Sequence, residues 1–241
     1  MIARWRALAA ELGGARVAAL YLVHRLLQRL AGSRAGVVPY VLVAQPVGNQ
    51  ALKAVRPDPG TTVRRIDPND PVVSRFPRPA AVIAQRFGAG HECHVAWVKG
   101  VFAGYVWIAR SSYDEDEVRG RYVMADPAST VWDYDVYVEP AYRATRTMAR
   151  LWAAVDAALA AQGVRWSLSR INRFNAASLR SHARLGIRTV GHVTVLKLGT
   201  WEAAWARPLD GSQRQWTVGR SGGFVMALHP PETQPTRHPA G

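Results

Sequence analysis

Apolar residues recur along the chain with two periods, and these mark out its elements. Residues 131–138, Val-Trp-Asp-Tyr-Asp-Val-Tyr-Val, alternate and stop before Pro140, which predicts a strand. Two β-rich runs, 94–98 and 101–108, flank the turn Lys99-Gly100 and predict a hairpin. Further strands are expected at 37–46, 63–67, 121–124, 166–171 and 189–198. Helical spacing predicts one or two amphipathic helices over 1–34, broken near Gly13-Gly14. There Leu20, Val23, Leu27 and Leu30 form the apolar face, and His24, Arg25, Gln28 and Arg29 the polar one. Helices are also expected at 80–86, at 143–162 ended by Gly163, and at 175–185 stopped by Gly186. Residues 47–60 read as a Pro/Gly-rich linker and 230–241 as a disordered Pro-rich tail.

From 94 onward this reads as hairpin, strand, helix, strand, helix, strand. That order implies an α/β (α+β) domain with a mixed sheet, the long helix crossing between neighbouring strands.

Composition narrows the class. With 241 residues and 49% hydrophobic content, the chain is long and apolar enough to bury a core. Lys and Arg total 31 against 17 acids, a net charge of +14, and 28 of the 31 are arginines. That excess fits either the coding bias of a GC-rich genome or an acidic partner. Cys93 is the only cysteine, so no internal disulfide or Cys-cluster metal site forms, and the seven histidines show no ligand spacing. A metal is not expected. The most apolar stretch, 17–24, falls short of the ~20 residues that span a bilayer. A cytoplasmic protein is expected, with peripheral membrane contact by the basic amphipathic N-terminal helix as an open alternative to its packing on the domain.

Two segments carry a resemblance. Val136-Tyr-Val-Glu-Pro-Ala-Tyr-Arg143 leads into the long helix, and Asn175-Ala-Ala-Ser-Leu-Arg-Ser-His-Ala-Arg-Leu-Gly186 follows 32 residues after Arg143. Together they resemble the GNAT superfamily of N-acyltransferases: its central strand, its V-x-P turn and cofactor-loop arginine, and its N-x(6)-Y-x-x-L-G signature. The resemblance covers residues 62–200. It implies a GNAT-like, mostly antiparallel mixed sheet flanked by helices as an acyltransferase domain. Around it lie an N-terminal amphipathic helical extension (1–35), a strand and linker (36–61) and a C-terminal extension (201–241).

The resemblance also implies chemistry. An acyl-CoA, acetyl-CoA first among them, would donate its acyl group to a primary amine of a small molecule or peptide. The pantetheine would lie in a slot between strands 131–138 and 166–171, along Val136, Tyr137 and Val138, with Asn175 and Ser178 flanking it. Arg143, Arg146 and Thr147 would hold the pyrophosphate at the helix start, where free N–H groups favour anions. Here the sequence departs from the family pattern R/Q-x-x-G-x-G/A, since Arg146 and Met148 occupy the small-residue positions. That departure leaves an acyl carrier protein open as the alternative donor.

An alkyl ammonium with a pKa of ~10.4 must lose a proton before it attacks. Asp133 and Asp135 are the candidate bases, and they share a side of the strand unless a bulge intervenes. His182 stands where the family places tyrosine and is the candidate acid for the leaving thiolate. The acidic run Asp114-Glu-Asp-Glu117 reads either as a solvated loop or as an attractor for a cationic amine, with Tyr113, Asp114, Glu115 and Glu117 as candidate contacts. A reading from another class is a catalytically inactive GNAT-like module that binds an acidic surface. No recognition-helix or RNA-binding aromatic signature favours nucleic acid.

Overall fold

The computed structural model describes residues 2–231. The chain runs α1 (Ile2–Glu11), α2 (Ala15–Ala31), β1 (Ala35–Pro46), α3 (Gln50–Lys53), β2 (Thr61–Ile66), α4 (Ala80–Gly88), β3 (Glu92–Val98) and β4 (Val101–Ala109). It continues through β5 (Ser112–Asp114), β6 (Gly120–Met124), β7 (Thr130–Val138), α5 (Thr147–Ala161), β8 (Trp166–Asn172) and α6 (Ala176–Ala183). β9 (Arg188–Leu198), β10 (Trp201–Pro208), β11 (Gln215–Gly219) and β12 (Phe224–Leu228) close it.

Nine strands form one sheet in the order β11-β10-β9-β1-β8-β7-β4-β3-β2, and β12, β6 and β5 form a small second sheet. Among the described residues only β7–β8 and β12–β6 pair in parallel. The fold is thus a mixed, mostly antiparallel sheet flanked by helices. On one face Tyr40, Leu42, Tyr105, Trp107, Trp132 and Leu168 pack towards α4 and the small sheet. On the other, Val106, Ile108 and Val131 meet Leu151, Val155 and Leu159 of α5, and Val41, Val43 and Ile171 meet Leu179 of α6. Trp107 and Trp132 are wholly buried, a burial worth about 4–6 kcal/mol each from area alone.

Three features differ from the pattern-based expectation. Residues 36–61, expected to flank the 62–200 unit, supply β1, which is paired on both sides, to β8 and to β9. Its near-continuous apolar run is that of a strand covered on both faces. Residues 201–228, expected only as an extension, add β10, β11 and β12. Of the tail expected at 230–241, residues 232–241 lie outside the described residues.

The third difference is the face that α2 turns inward. It packs through Val17, Ala18, Tyr21 and His24, while Leu22, Val23, Leu26 and Leu30 are exposed. His24, expected on the polar side, accepts a hydrogen bond at Nδ1 from the Val37 N–H at 3.2 Å. Its ring lies against Gly36, where a Cβ would come within 2.9 Å of Nδ1. A backbone donor and a missing side chain thus outbid the apolar stripe for the inward position.

Gly104 of β4 lies opposite Val138 of β7, and a Cβ there would collide with the Tyr137 carbonyl oxygen. Gly104→Ala is expected to destabilise the fold by about 1–3 kcal/mol through overpacking of two backbones, read from urea denaturation.

Candidate active site

β7 and β8 form only three parallel pairs, Thr130↔Trp166, Val131↔Ser167 and Trp132↔Leu168. Beyond them β7 keeps its antiparallel partner β4 as far as Val138, and β8 keeps β1 as far as Asn172. The facing edges from Asp133 and Ser169 onward therefore part without ladder pairs. On the β4 side the register shifts between Tyr105 and Trp107, and Asp135 takes φ 44°. This is a bulge, which adds a residue and increases the local twist, turning the strand away from β8. Aspartate is among the few non-glycine residues that adopt such a φ with modest strain.

The bulge also separates the two carboxylates. Asp133 turns towards β8, where Ser167 Oγ donates to it at 2.6 Å. Asp135 turns to the opposite face, towards α4. The shared parity expected for an unbroken strand does not hold, and the bulge is the reason.

A cleft of about 520 Å³ opens where the strands part. Asp133, Val136, Asn175, Ser178 and His182 line it, as do Asp135 and Tyr113. Asp133 is 7% exposed, and desolvation pushes its pKa up to about 6, against the opposing pull of the Ser167 hydroxyl and His182. His182 projects from α6, its Nδ1 2.8 Å from the Ser178 carbonyl oxygen and 3.3 Å from the Ser178 hydroxyl. A carbonyl only accepts, so in the neutral ring the proton sits on Nδ1 and Nε2 is the exchanging nitrogen. Asn175 caps α6, its Oδ1 accepting from the Ser178 N–H at 3.0 Å. Capping alone accounts for an asparagine at that position.

Asp135 is held in a different way. Arg78 donates to it through Nη2 at 2.5 Å and Nε at 3.0 Å, Arg86 donates from the other side, and the Tyr105 hydroxyl lies at 3.3 Å. Arg86 is buried, with its guanidinium 5.0 Å from the Tyr134 ring centre and 5.4 Å from that of Trp107. Two guanidiniums thus clamp one carboxylate, Arg78 from the exposed side and Arg86 from the buried side.

The acidic run lies at the surface except for Glu115, whose side chain is turned inward. Glu115 is buried and bonded to Arg170, whose second nitrogen reaches Asp116 at 2.9 Å. Burial raises the Glu115 pKa to about 7 despite that partner. Glu117 accepts from the Tyr40 hydroxyl, and Asp114 forms a bidentate pair with Arg121 at 2.6 and 2.8 Å. Tyr113 is 3% exposed and stacks between Trp132 and Tyr134, at 5.5 and 4.5 Å. Of the expected amine contacts, Tyr113 is thus packed in the core and Glu115 is paired internally with Arg170, while the exposed Glu117 is held by the Tyr40 hydroxyl and Asp114 by Arg121. Asp116, in the same run, lines the cleft and keeps its side chain half exposed.

At the start of α5, Arg143 donates from Nε to the Val138 carbonyl at 3.0 Å. Arg150 pairs with Asp58 at 2.8 Å, and Arg146 stands exposed at the helix N-cap. Thr147 is buried, its Oγ1 2.9 Å from that of Thr145. Tyr137 stacks on Tyr105 at 5.5 Å, on the face away from α5. The cleft wall also includes Met148, expected only as a departure from the loop pattern, and Trp152, Ser169 and Arg170, which pattern reasoning did not place at the site. The alternating serines 167 and 169 of β8 carried a signal for Ser169 alone. Cys93 is buried in β3, where desolvation pushes its thiol pKa up, and no metal-ligand cluster occurs among the described residues.

Asp135→Ala would leave the buried Arg86 guanidinium only the half-exposed Asp116, at 3.6 Å. It is expected to cost about 3 kcal/mol of unfolding free energy, against a much smaller loss for Asp114→Ala at the exposed Arg121 pair, both read by urea denaturation.

No family model matches the chain, and no curated protein does. Solved structures similar to it include a GNAT-family acetyltransferase chain from Novosphingobium aromaticivorans, at 21% identity and TM-score 0.46, over 68% of this chain and 65% of that one. A tandem GNAT protein of the clavulanic acid biosynthesis pathway is similar at 14% identity and TM-score 0.48, over 75% of this chain and 56% of that one. An acetyltransferase-type chain from Salmonella typhimurium, solved with acetyl-CoA, is similar at 20% identity and TM-score 0.36, over 66% and 91%. The chain thus spans under two thirds of the length of the first two.

Proposed function

We propose that the chain is an N-acyltransferase that moves an acyl group from a thioester, acyl-CoA in the first instance, to a primary amine by direct attack. One observation carries this reading: β7 and β8 part after three pairs, and Asp133 turns into the gap. An extended amide-bearing arm needs an unpaired backbone edge, and the β8-facing side of β7 beyond Trp132 is such an edge. A proton acceptor at the same place completes what an amine and a thioester require.

In the first step the ammonium gives its proton to Asp133, whose pKa near 6 makes it a carboxylate at neutral pH. The free amine attacks the thioester carbonyl, and the tetrahedral oxyanion draws on backbone N–H groups of the parted β7 edge. As the intermediate collapses, the nitrogen gives its second proton to Nε2 of His182, the carbon–sulfur bond breaks, and His182 passes that proton to the departing thiolate. Amide and thiol are the products, and no enzyme side chain is acylated. Asp135 serves as a positioning residue, holding the bulge through Arg78 and Arg86.

Arg143 and Arg146 at the start of α5 supply positive charge for the donor's phosphates, in place of a close-fitting glycine loop. The exposed Arg146 and the half-exposed Met148 also favour a second donor, an acyl chain delivered by an acidic carrier protein. The acceptor is a small-molecule or peptide amine.

Thiol release from acetyl-CoA, longer acyl-CoA and acyl-carrier donors, with a panel of amines, tests the reading; no release from any donor overturns it. The proton-accepting form of Asp133 is gained as pH rises, so kcat/KM is expected to climb through an apparent pKa near 6 and level off above it. Asp133→Asn is expected to lower kcat by about 10²–10⁴ and to abolish that limb while the protein stays folded by circular dichroism. A variant that keeps the limb removes Asp133 from the role.

A further inference from the structure

We infer that the outer strands and α2 form a docking surface for an anionic lipid bilayer. In the β9–β10–β11 ladder Trp201 lies opposite Leu198, Trp205 opposite Trp216, and Ala203 opposite Val218. Strand alternation places all six on one face, while Val193, Val195, Ala204 and Ala206 fill the core on the other. Five of the six are large and exposed, Trp216 to 64%. Trp205 and Trp216 lie 5.8 Å apart, a preformed aromatic plate.

α2 ends beside this face. Three residues after the helix, the Arg34 carbonyl accepts from the Gly199 N–H of the β9–β10 turn at 2.7 Å. On α2, Leu22, Leu26 and Leu30 recur every four residues with Val23 beside them, all exposed, Leu30 to 76%. The inward side of that helix is occupied by Val17, Tyr21 and His24, so the leucines form a stripe that the fold does not use.

Charge selects the occupant. Arg25, Arg29, Arg34, Arg207, Arg214 and Arg220 are exposed around the two apolar strips, and the Arg220 guanidinium sits 5.4 Å over the Trp201 ring. Residues 12–57 contain no acid. On β10, Glu202 accepts from the Arg119 N–H at 2.8 Å, and Asp210 pairs with His229 at 3.7 Å. A second copy of this chain would set arginines against arginines with no carboxylate of these strips between them. A nucleic acid would neutralise the arginines but has no use for leucine and valine.

An anionic bilayer meets both demands. Its phosphates pair with guanidiniums, its interfacial region takes tryptophan, and its upper acyl region takes leucine. No helix among the described residues is long and apolar enough to cross a membrane, so the contact is interfacial.

Co-sedimentation of the full chain with vesicles tests this, using phosphatidylcholine alone against a phosphatidylcholine–phosphatidylglycerol mixture. Binding is expected only to the anionic vesicles and is expected to weaken steeply with salt. The double variant Leu26→Glu, Trp216→Glu is expected to abolish it. Arg25→Gln with Arg29→Gln is expected to weaken it by about 30-fold, from ~1 kcal/mol per surface-bound arginine. Circular dichroism checks that each variant is folded, and light scattering reads its oligomeric state. Failure to bind anionic vesicles, binding untouched by both double variants, or a solution dimer that Leu26→Glu, Trp216→Glu dissolves while vesicles bind nothing would each overturn the proposal. None of these residues lines the cleft, so a loss of thiol release is a separate outcome.

Discussion

A parallel pair of strands that stops after three residues leaves two rows of backbone donors and acceptors facing a gap. Such groups are costly to bury unpaired, so the gap persists only where solvent or a ligand can satisfy it. In this fold the constraint comes from the bulge at Asp135, which bends β7 while β4 holds its other edge. Everything chemical in the cleft follows from that bend. Asp133 points to β8 and α6, Asp135 to the guanidiniums of Arg78 and Arg86, and the space between β7 and β8 opens towards His182.

The two aspartates show how environment divides one residue type into two electrostatic settings. Asp135 sits between two cations and an aromatic hydroxyl and is a fixed charge that pins the bulge. Asp133 has no guanidinium partner, only the serine hydroxyls of β8 and the nearby His182, and desolvation outweighs them, so its proton affinity rises. The acidic run 114–117 repeats the lesson from the other side. In a chain with 28 arginines its carboxylates find cations close by, Glu115 with its side chain buried against Arg170 and Asp114 at the surface against Arg121.

The apolar strips of α2 and β9–β11 are a second consequence of local rules overridden by neighbours. The α2 register is set by the His24–Val37 hydrogen bond and by the space above Gly36, which rotates four apolar residues outward. In the outer ladder, alternation serves the core on one face and leaves tryptophans on the other, where a helix layer would normally lie.

Much was legible in the residues themselves. Period and punctuation located the hairpin about Lys99-Gly100, the strand before Pro140, the long helix ended by Gly163 and the short helix ended by Gly186, because these signals are local. Two charges within one strand marked Asp133 and Asp135, whereas Asn175 and His182 were marked only by the resemblance. What the sequence could not settle was long-range. The place of β1 between β8 and β9, the pairing of β12 with β6, the inward turn of Glu115, the Tyr40–Glu117 hydrogen bond and the roll of α2 each depend on partners more than 12 residues away, up to more than 100. The bulge at Asp135 belongs with these. Alternation along 131–138 predicts a flat strand, and only the register against β4 reveals the extra residue that sends two adjacent carboxylates to opposite faces.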